Sequence, residues 1–321
     1  MTTSGTNTFN LTRNEIIEQA LGRIGVKTFS RNPTDAEIKQ GAITLNCMIK
    51  SWKNDGINLW KSAQGTLFLD VGKNNYKLDG ITANATEQYT FSLLSSDALS
   101  GSNTIQVADP TQFTIGYFIG VMQGNNSSVW STITNITGNI ITLATNLTAD
   151  SHAGSLVYCY QTKIRRPEGV SSARFRMNIN NNINDGTEIP AVIYANKSYF
   201  DIVLKNTESI VNAVYYDKQL DYGSIYTWPT PAVNTYVLKF TFQKQFDDFD
   251  IATNTPDFPP EWLKALYLNL AYDLAPFYGK TPDESLKRDA AEALARANSY
   301  DQENVSFRIT PFNSNNMSTY G

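Results

Sequence analysis

The residues that could do chemistry are few. Glu15 and Glu18 stand at i and i+3 on one expected helix face, and a pair of spaced carboxylates is what glycoside hydrolysis needs. A solvated helix face offers the same pair, and nothing around it encodes the apolar pocket that would raise one carboxyl. Glu261 opens an apolar helix, where a carboxylate meets the positive end of the helix dipole. The single histidine, His152, lies in a turn with no His or Cys partner at ligand spacing, which leaves neither a zinc set nor a His-based triad. Cys47 and Cys159 occupy unlike segments and read as two reduced, buried thiols. A Gly-rich phosphate loop, a Cys-x-x-Cys pair and a nucleophile elbow are absent. The residues thus point to no catalytic centre, no metal and no cofactor.

With 321 residues the chain can hold two or three domains. Its net charge of −4 argues against a surface that grips nucleic acid, because binding phosphates takes clustered Lys and Arg. The first ten residues lack the basic and apolar regions of a secretory signal, and no apolar run reaches membrane-spanning length. The expectation is a chain made in a cytosol, soluble and without a membrane partner.

The elements follow from the patterning. Residues 258–279 form the densest apolar helix, with Pro259 and Pro260 at its start and Pro276 and Gly279 at its end. Trp262, Leu266 and Leu270 share one face, and further apolar residues widen the arc, so the helix needs partners on several sides. Thr12 caps a helix over 13–25 and Thr34 one over 34–55, while 284–300 is amphipathic. Leu67, Leu69 and Val71 alternate with other residues ahead of a Gly72-Lys73-Asn74-Asn75 turn, which predicts a β-hairpin with Tyr76 and Leu78. From Tyr89 to Tyr160 short strands recur at roughly 8–12-residue spacing with Gly-Asn turns, the pattern of a small sandwich or barrel.

The expected fold is α+β. About four helices make a bundle scaffold, joined by the hairpin and further short strands, with an inserted all-β barrel or sandwich and an extended tail. The boundaries are 1–85 for the helical and β hairpins, 86–161 for the insertion, 162–303 for the rest of the scaffold and 304–321 for the tail. Trp52, Trp60, Trp228, Trp262, Leu266 and Leu270 are the expected core. The tail scatters Phe307, Ile309, Phe312 and Tyr320 among polar residues, which suits a segment ordered against a partner.

Three segments carry a resemblance: Ser51-Trp52-Lys53-Asn54-Asp55-Gly56-Ile57-Asn58-Leu59-Trp60, the run from Tyr222 to Pro231, and Phe258-Pro259-Pro260-Glu261-Trp262. In this order they resemble the head-to-tail adaptors of tailed bacteriophages, and among these the tail accessory factors of P22-like podoviruses. The resemblance covers the scaffold but has no counterpart for 89–160. It implies a non-enzymatic structural virion protein in the neck or tail, present in the host cytoplasm during assembly. Twelve copies would form a ring docked beneath the portal protein, touching each other and further tail or ring proteins below. DNA would pass through the ring without sequence-specific binding during ejection, and Phe307, Ile309, Phe312 and Tyr320 become the expected portal-binding residues. A negative surface suits such a conduit, because it repels phosphates.

Two other readings stay open. One is cell-wall (peptidoglycan) hydrolysis on the same scaffold. The other is a host-receptor or glycan-binding tail module, in which Trp130, Tyr158 and Tyr160 of the insertion stack on sugars.

Overall fold

The computed structural model describes residues 9–52, 61–177, 186–234 and 236–300. Two helices come first, α1 (Arg13–Arg23) and α2 (Asp35–Trp52). Strands β1 (Ser62–Phe68), β2 (Asn75–Leu78) and β3 (Ala85–Thr86) precede β4 (Thr90–Leu93), β5 (Thr104–Gln106), β6 (Phe118–Met122), β7 (Ser128–Thr137), β8 (Ile140–Leu143) and β9 (Leu156–Tyr160). Next come β10 (Gly169–Met177), β11 (Thr187–Tyr194), a short helix α3 (Asn196–Phe200), β12 (Glu208–Ser209), β13 (Ala213–Lys218), β14 (Gly223–Trp228), β15 (Thr230–Pro231) and β16 (Tyr236–Gln243). Helices α4 (Leu263–Leu274) and α5 (Glu284–Tyr300) are the last described elements. The chain divides into two compact units: Met1–Trp60 with Phe246–Gly321, and Lys61–Gln245.

In the first unit the helix ends are fixed by local chemistry. Thr12 Oγ1 accepts the Glu15 N–H at 3.4 Å while Glu15 Oε2 accepts the Thr12 N–H at 2.8 Å, a reciprocal cap on α1. Thr34 and Glu37 repeat it ahead of α2, at 3.4 and 2.8 Å. Helix α4 is entered through a 3-10 turn at Pro260–Trp262 and left through another at Ala275–Tyr278, which ends on Gly279 at φ 66°. Helix α4 buries Leu263, Ala265, Leu266, Leu268, Leu270, Ala271 and Leu274. That is wider than one stripe, and α1, α2 and α5 supply the partners through Ile17, Leu21, Leu45, Ile49, Leu286 and Ala290. At Gly41 a Cβ would lie 2.4 Å from Ile17 Cγ2, so glycine lets α1 and α2 approach closely.

The second unit is all β apart from α3. One sheet of eight strands runs β2-β14-β13-β11-β10-β16-β1-β3 and curls into a nearly closed barrel. Its core face carries Leu67, Leu238, Phe240, Phe242, Phe175 and Ile225. A second sheet, β4-β9-β6-β7-β8-β5, holds a core of its own around Ile119, Val121, Ile133, Ile141 and Val157.

This architecture overturns the helical-bundle scaffold. The molecule is mostly β-sheet, and helices make up only the smaller unit. The cause is long-range pairing: β1 pairs along its whole length with β16, and Thr66 lies 173 residues from its cross-strand neighbour Lys239. The β-hairpin is overturned too. Strand β1 pairs with β16 and β3, whereas β2 pairs with β14. The 72–75 turn therefore joins β2, at one end of the sheet order, to β1, which is next to last at the other.

Candidate functional site

The carboxylates named for catalysis have structural partners. Glu15 accepts both the N–H and the hydroxyl of Thr12 at 2.8 Å, and these bonds hold its carboxyl below the usual carboxylate range. A general acid needs the opposite shift. Glu18 pairs with Lys27 at 2.6 Å. Glu261 lies in the 3-10 turn before α4. His152 Nδ1 is 3.8 Å from Asp97 Oδ2, with both side chains mostly exposed. Among the described residues no three His, Cys, Asp or Glu side chains gather where a metal ion could sit. Cys159 is buried, and burial pushes its thiol up to about 11, whereas Cys47 is exposed.

Of the expected core residues, Trp262, Leu266 and Leu270 are buried and Trp52 is half-buried, its ring centroid 5.9 Å from that of Trp262. Trp228 is half-buried and its Nε1 donates to the Leu204 carbonyl at 3.1 Å. Trp60 and the expected portal contacts Phe307, Ile309, Phe312 and Tyr320 lie outside the described residues.

The three aromatics expected to stack on sugars fill a core instead. Tyr158 and Tyr160 are buried and Trp130 half-buried, packed with Met122 and Leu156 against Phe68 and Val237 of the eight-stranded sheet. The Phe68 ring centroid lies 4.8 Å from that of Tyr158, 4.9 Å from Trp130 and 5.9 Å from Tyr160. Gly120 admits the Trp130 ring, since a Cβ there would meet it at 2.4 Å. Burial raises the Tyr89 and Tyr160 hydroxyls, and Tyr160 donates to Asn84 Oδ1 at 2.8 Å.

Three surfaces of this β unit escape prediction from the sequence. The first is a cleft of about 590 Å³ lined by Asp79, Ile81, Phe118, Lys163, Arg165 and Asp221 among others. Lys163 crosses it, with its Nζ 4.8 Å from the Phe118 ring centre and donating to the Ile81 carbonyl at 2.7 Å. The second is a group of cations on the outer face of the eight-stranded sheet. Cross-strand pairing sets Arg174 beside Lys239, and Glu188 bridges Arg174 at 3.3 Å and Arg176 at 3.2 Å. The Arg174-Phe175-Arg176 alternation was the available signal, since period two puts both arginines on one face.

The third surface is apolar. In β11 Val192 is exposed on one side of the strand and Ile189 and Ile193 on the other, and Phe200, Val203 and Leu204 are exposed in α3 and the loop after it. Lysine and arginine, meanwhile, are absent from 86–161, so the insertion offers polyanions no charge to hold. The net charge of −4 falls on the helical unit, which has 13 Lys and Arg against 17 Asp and Glu, whereas Lys61–Gln245 has 13 of each.

No protein-family model and no curated protein matches the chain. Among solved structures it is similar to the Gp54 tailspike of Acinetobacter baumannii bacteriophage AP22, solved in complex with A. baumannii capsular saccharide, at 15% identity and a TM-score of 0.20. That likeness covers 22% of this chain and 14% of the tailspike, so the chain spans about one seventh of that protein. A second similar structure is VP17, a capsid protein of bacteriophage P23-77, at 12% identity and a TM-score of 0.12, over 61% of this chain and 73% of that one. Both are phage proteins. Such TM-scores carry neither fold nor function across. No helix among the described residues is long and apolar enough to cross a membrane.

Proposed function

We propose that the chain is a structural component of a bacteriophage virion that works by binding, without catalysis, and more finely that it is a head-to-tail adaptor joining portal to tail. The observation that carries this is the division of charge and surface between its two units. All the net negative charge lies on the helical unit, which suits a wall past which DNA moves, and the neutral β unit keeps exposed apolar side chains for neighbouring proteins. Electron microscopy of the protein alone and mixed with the portal of the same phage tests it. Rings of this chain on the portal are expected; a chain that leaves the portal bare would sink the adaptor reading. Hydrolysis is tested by comparing wild type and Glu15→Gln on peptidoglycan, where equal and negligible release is expected.

Host-surface glycan recognition is the second reading, and the cleft beside the insertion favours it. Trp130, Tyr158 and Tyr160 are used for packing, and Phe118, stacked on Tyr160 at 5.3 Å, lines the cleft under Lys163, so a sugar ring would meet Phe118 by displacing Lys163, with Arg165, Asp221 and Gln161 as polar partners. Binding of host surface polysaccharide by wild type and its loss in Phe118→Ala would favour this reading over the adaptor.

A further inference from the structure

The cleft of the β unit holds an unequal set of charges. Lys163, Arg165 and Arg166 stand against Asp79 and Asp221, which leaves one positive charge at a site in a chain of net charge −4. Arg166 is committed to the fold: it donates to the carbonyls of Gln219 and Leu220 and lies 3.5 Å from Glu168. Asp79 is committed too, to the Ile81 and Thr82 N–H groups, the Thr82 hydroxyl and Lys77. Arg165 and Asp221 are exposed, and among the described residues neither side chain has a hydrogen-bond or ion-pair partner. The Arg165 stem is held all the same. Gly80, at φ 80°, lets the 79–82 turn lie against it, since a Cβ there would meet Arg165 Cγ at 3.3 Å.

Lys163 selects among ligands. Its ammonium lies 4.8 Å from the Phe118 ring centre and donates to the Ile81 carbonyl at 2.7 Å, and a ring that stacks on Phe118 must displace it. A neutral sugar removes the cation–π contact and returns only a hydroxyl, so the gain from stacking is partly offset. A sugar with a carboxylate returns a charge-assisted bond, roughly twice as strong as a neutral one, and offers the same charge to Arg165. Burial, opposed by Asp79 and helped by Lys73, holds the Lys163 ammonium below the ordinary lysine range, the sign of a cation that its present neighbours do not fully compensate.

We propose that the cleft recognises an acidic sugar, a monocarboxylate such as a uronic acid within a surface polysaccharide, and that Lys163 sets the preference; this rests on the glycan reading of the cleft. Asp221 fits the same ligand. Its carboxylate accepts sugar hydroxyls and repels a second negative charge, so one carboxylate suits the cleft better than a phosphate dianion. DNA is poorly served there, because residues 86–161, which supply Phe118 and Gln161 to the cleft, contain no Lys or Arg to neutralise successive phosphates.

Isothermal titration of the full chain with oligogalacturonate, and with the same oligomer after its carboxyl groups are reduced to alcohols, tests the preference. The two ligands share ring and linkage and differ in charge. Wild type should bind the acid at least about tenfold more tightly. Lys163→Ala uncovers the ring and removes the ammonium, so it should bind the reduced oligomer more tightly than wild type does and lose most of the preference. A residue that only held the fold would weaken both ligands together. Arg165→Gln should narrow the preference as well. Circular dichroism verifies the fold, and Lys163→Gln replaces the alanine variant if that one misfolds. Equal binding of the two oligomers by wild type, a preference that survives in both variants, or displacement of the acid by single-stranded DNA would overturn the proposal. Host surface polysaccharide bound through Phe118, with oligogalacturonate left unbound, would sink the acidic class and leave the glycan reading standing, whereas a chain that binds neither loses both.

Discussion

The core of the helical unit and the aromatic seat of the insertion bury similar groups in opposite ways. In the first, aliphatic side chains come from helices whose ends and faces are set by residues a few positions apart, such as Thr12 with Glu15 and Leu266 with Leu270. In the second, Phe68 of β1 and Val237 of β16 meet Trp130, Tyr158 and Tyr160 of the insertion across long stretches of chain. The insertion is therefore seated on the sheet by rings from both. A local pattern tells where apolar residues are, and only the fold tells which ones meet.

The largest effect should come from the ring at the centre of that seat. Phe68→Ala removes a side chain in contact with four other aromatics, Tyr89, Trp130, Tyr158 and Tyr160. A loss of about 3–5 kcal/mol in urea unfolding is expected, from lost transfer energy plus the cavity left behind. Should the cost stay under about 1 kcal/mol, the insertion would be a passenger and the contrast with the helical core would fail.

Leu266→Ala makes the matching cut in the helical unit, where Leu266 is fully buried among α1, α2 and α5. The expected cost is about 2–5 kcal/mol, read from the helical circular dichroism signal in urea. A surface-level loss would mean that α4 is not the centre of its unit.

What the sequence made legible follows the same division. The capped starts of α1 and α2, the Pro-Pro entry to α4 and the Gly279 stop are written within single turns, and the structure contains each. The eight-stranded sheet is hidden because its strands are separated by Asn-rich and Pro-containing segments and paired over long range, 173 residues apart at Thr66 and Lys239. For that reason the four helices are legible one by one, while the sheet that makes up most of the molecule is not. The candidate surfaces were hidden for a related cause. Trp130, Tyr158 and Tyr160 look like sugar platforms until Phe68 is seen packed against them.

Asp79 extends the comparison to a short-range device inside the β unit. Its carboxylate accepts the Ile81 and Thr82 N–H groups at 2.8 and 2.6 Å and the Thr82 hydroxyl at 2.7 Å, in a turn that also lines the cleft. Burial works to raise this carboxyl, but the bonds from Thr82 and Ile81, with Lys77, outweigh it and hold it well below the usual range. A depressed folded pKa means stabilisation that is present above the unfolded value and lost as pH falls. Asp79→Ala should therefore cost about 1–2 kcal/mol near neutral pH and progressively less below about pH 4. A cost independent of pH would assign the effect to turn geometry and not to the charge.

The smallest effect belongs to Lys239, which sits on the outer face of the same sheet. Its Nζ donates to Thr66 Oγ1 at 2.6 Å and lies 4.6 Å from the Tyr89 ring centre. Burial, then Arg176 and more weakly Arg174, push its ammonium down to about 8, with Glu188 opposing them. In the unfolded chain the same lysine titrates near 10.5, so between about pH 8 and about pH 10.5 the unfolded state holds a proton that the folded state has released. Stability must then rise with pH across that window, by up to about 1 kcal/mol once the solvent still reaching the group is allowed for. Lys239→Met keeps an unbranched stem against Tyr89, gives up the Thr66 bond and removes the titrating group. Near pH 7 the variant should match wild type within about 1 kcal/mol, because a costly buried charge is exchanged for a lost hydrogen bond. Urea midpoints compared at neutral and alkaline pH should show wild type gaining on the variant as pH rises. Parallel curves for the two proteins would mean that Arg174, Arg176 and Glu188 leave Lys239 with its ordinary affinity for the proton, and that this face is as open to water as the surfaces around it.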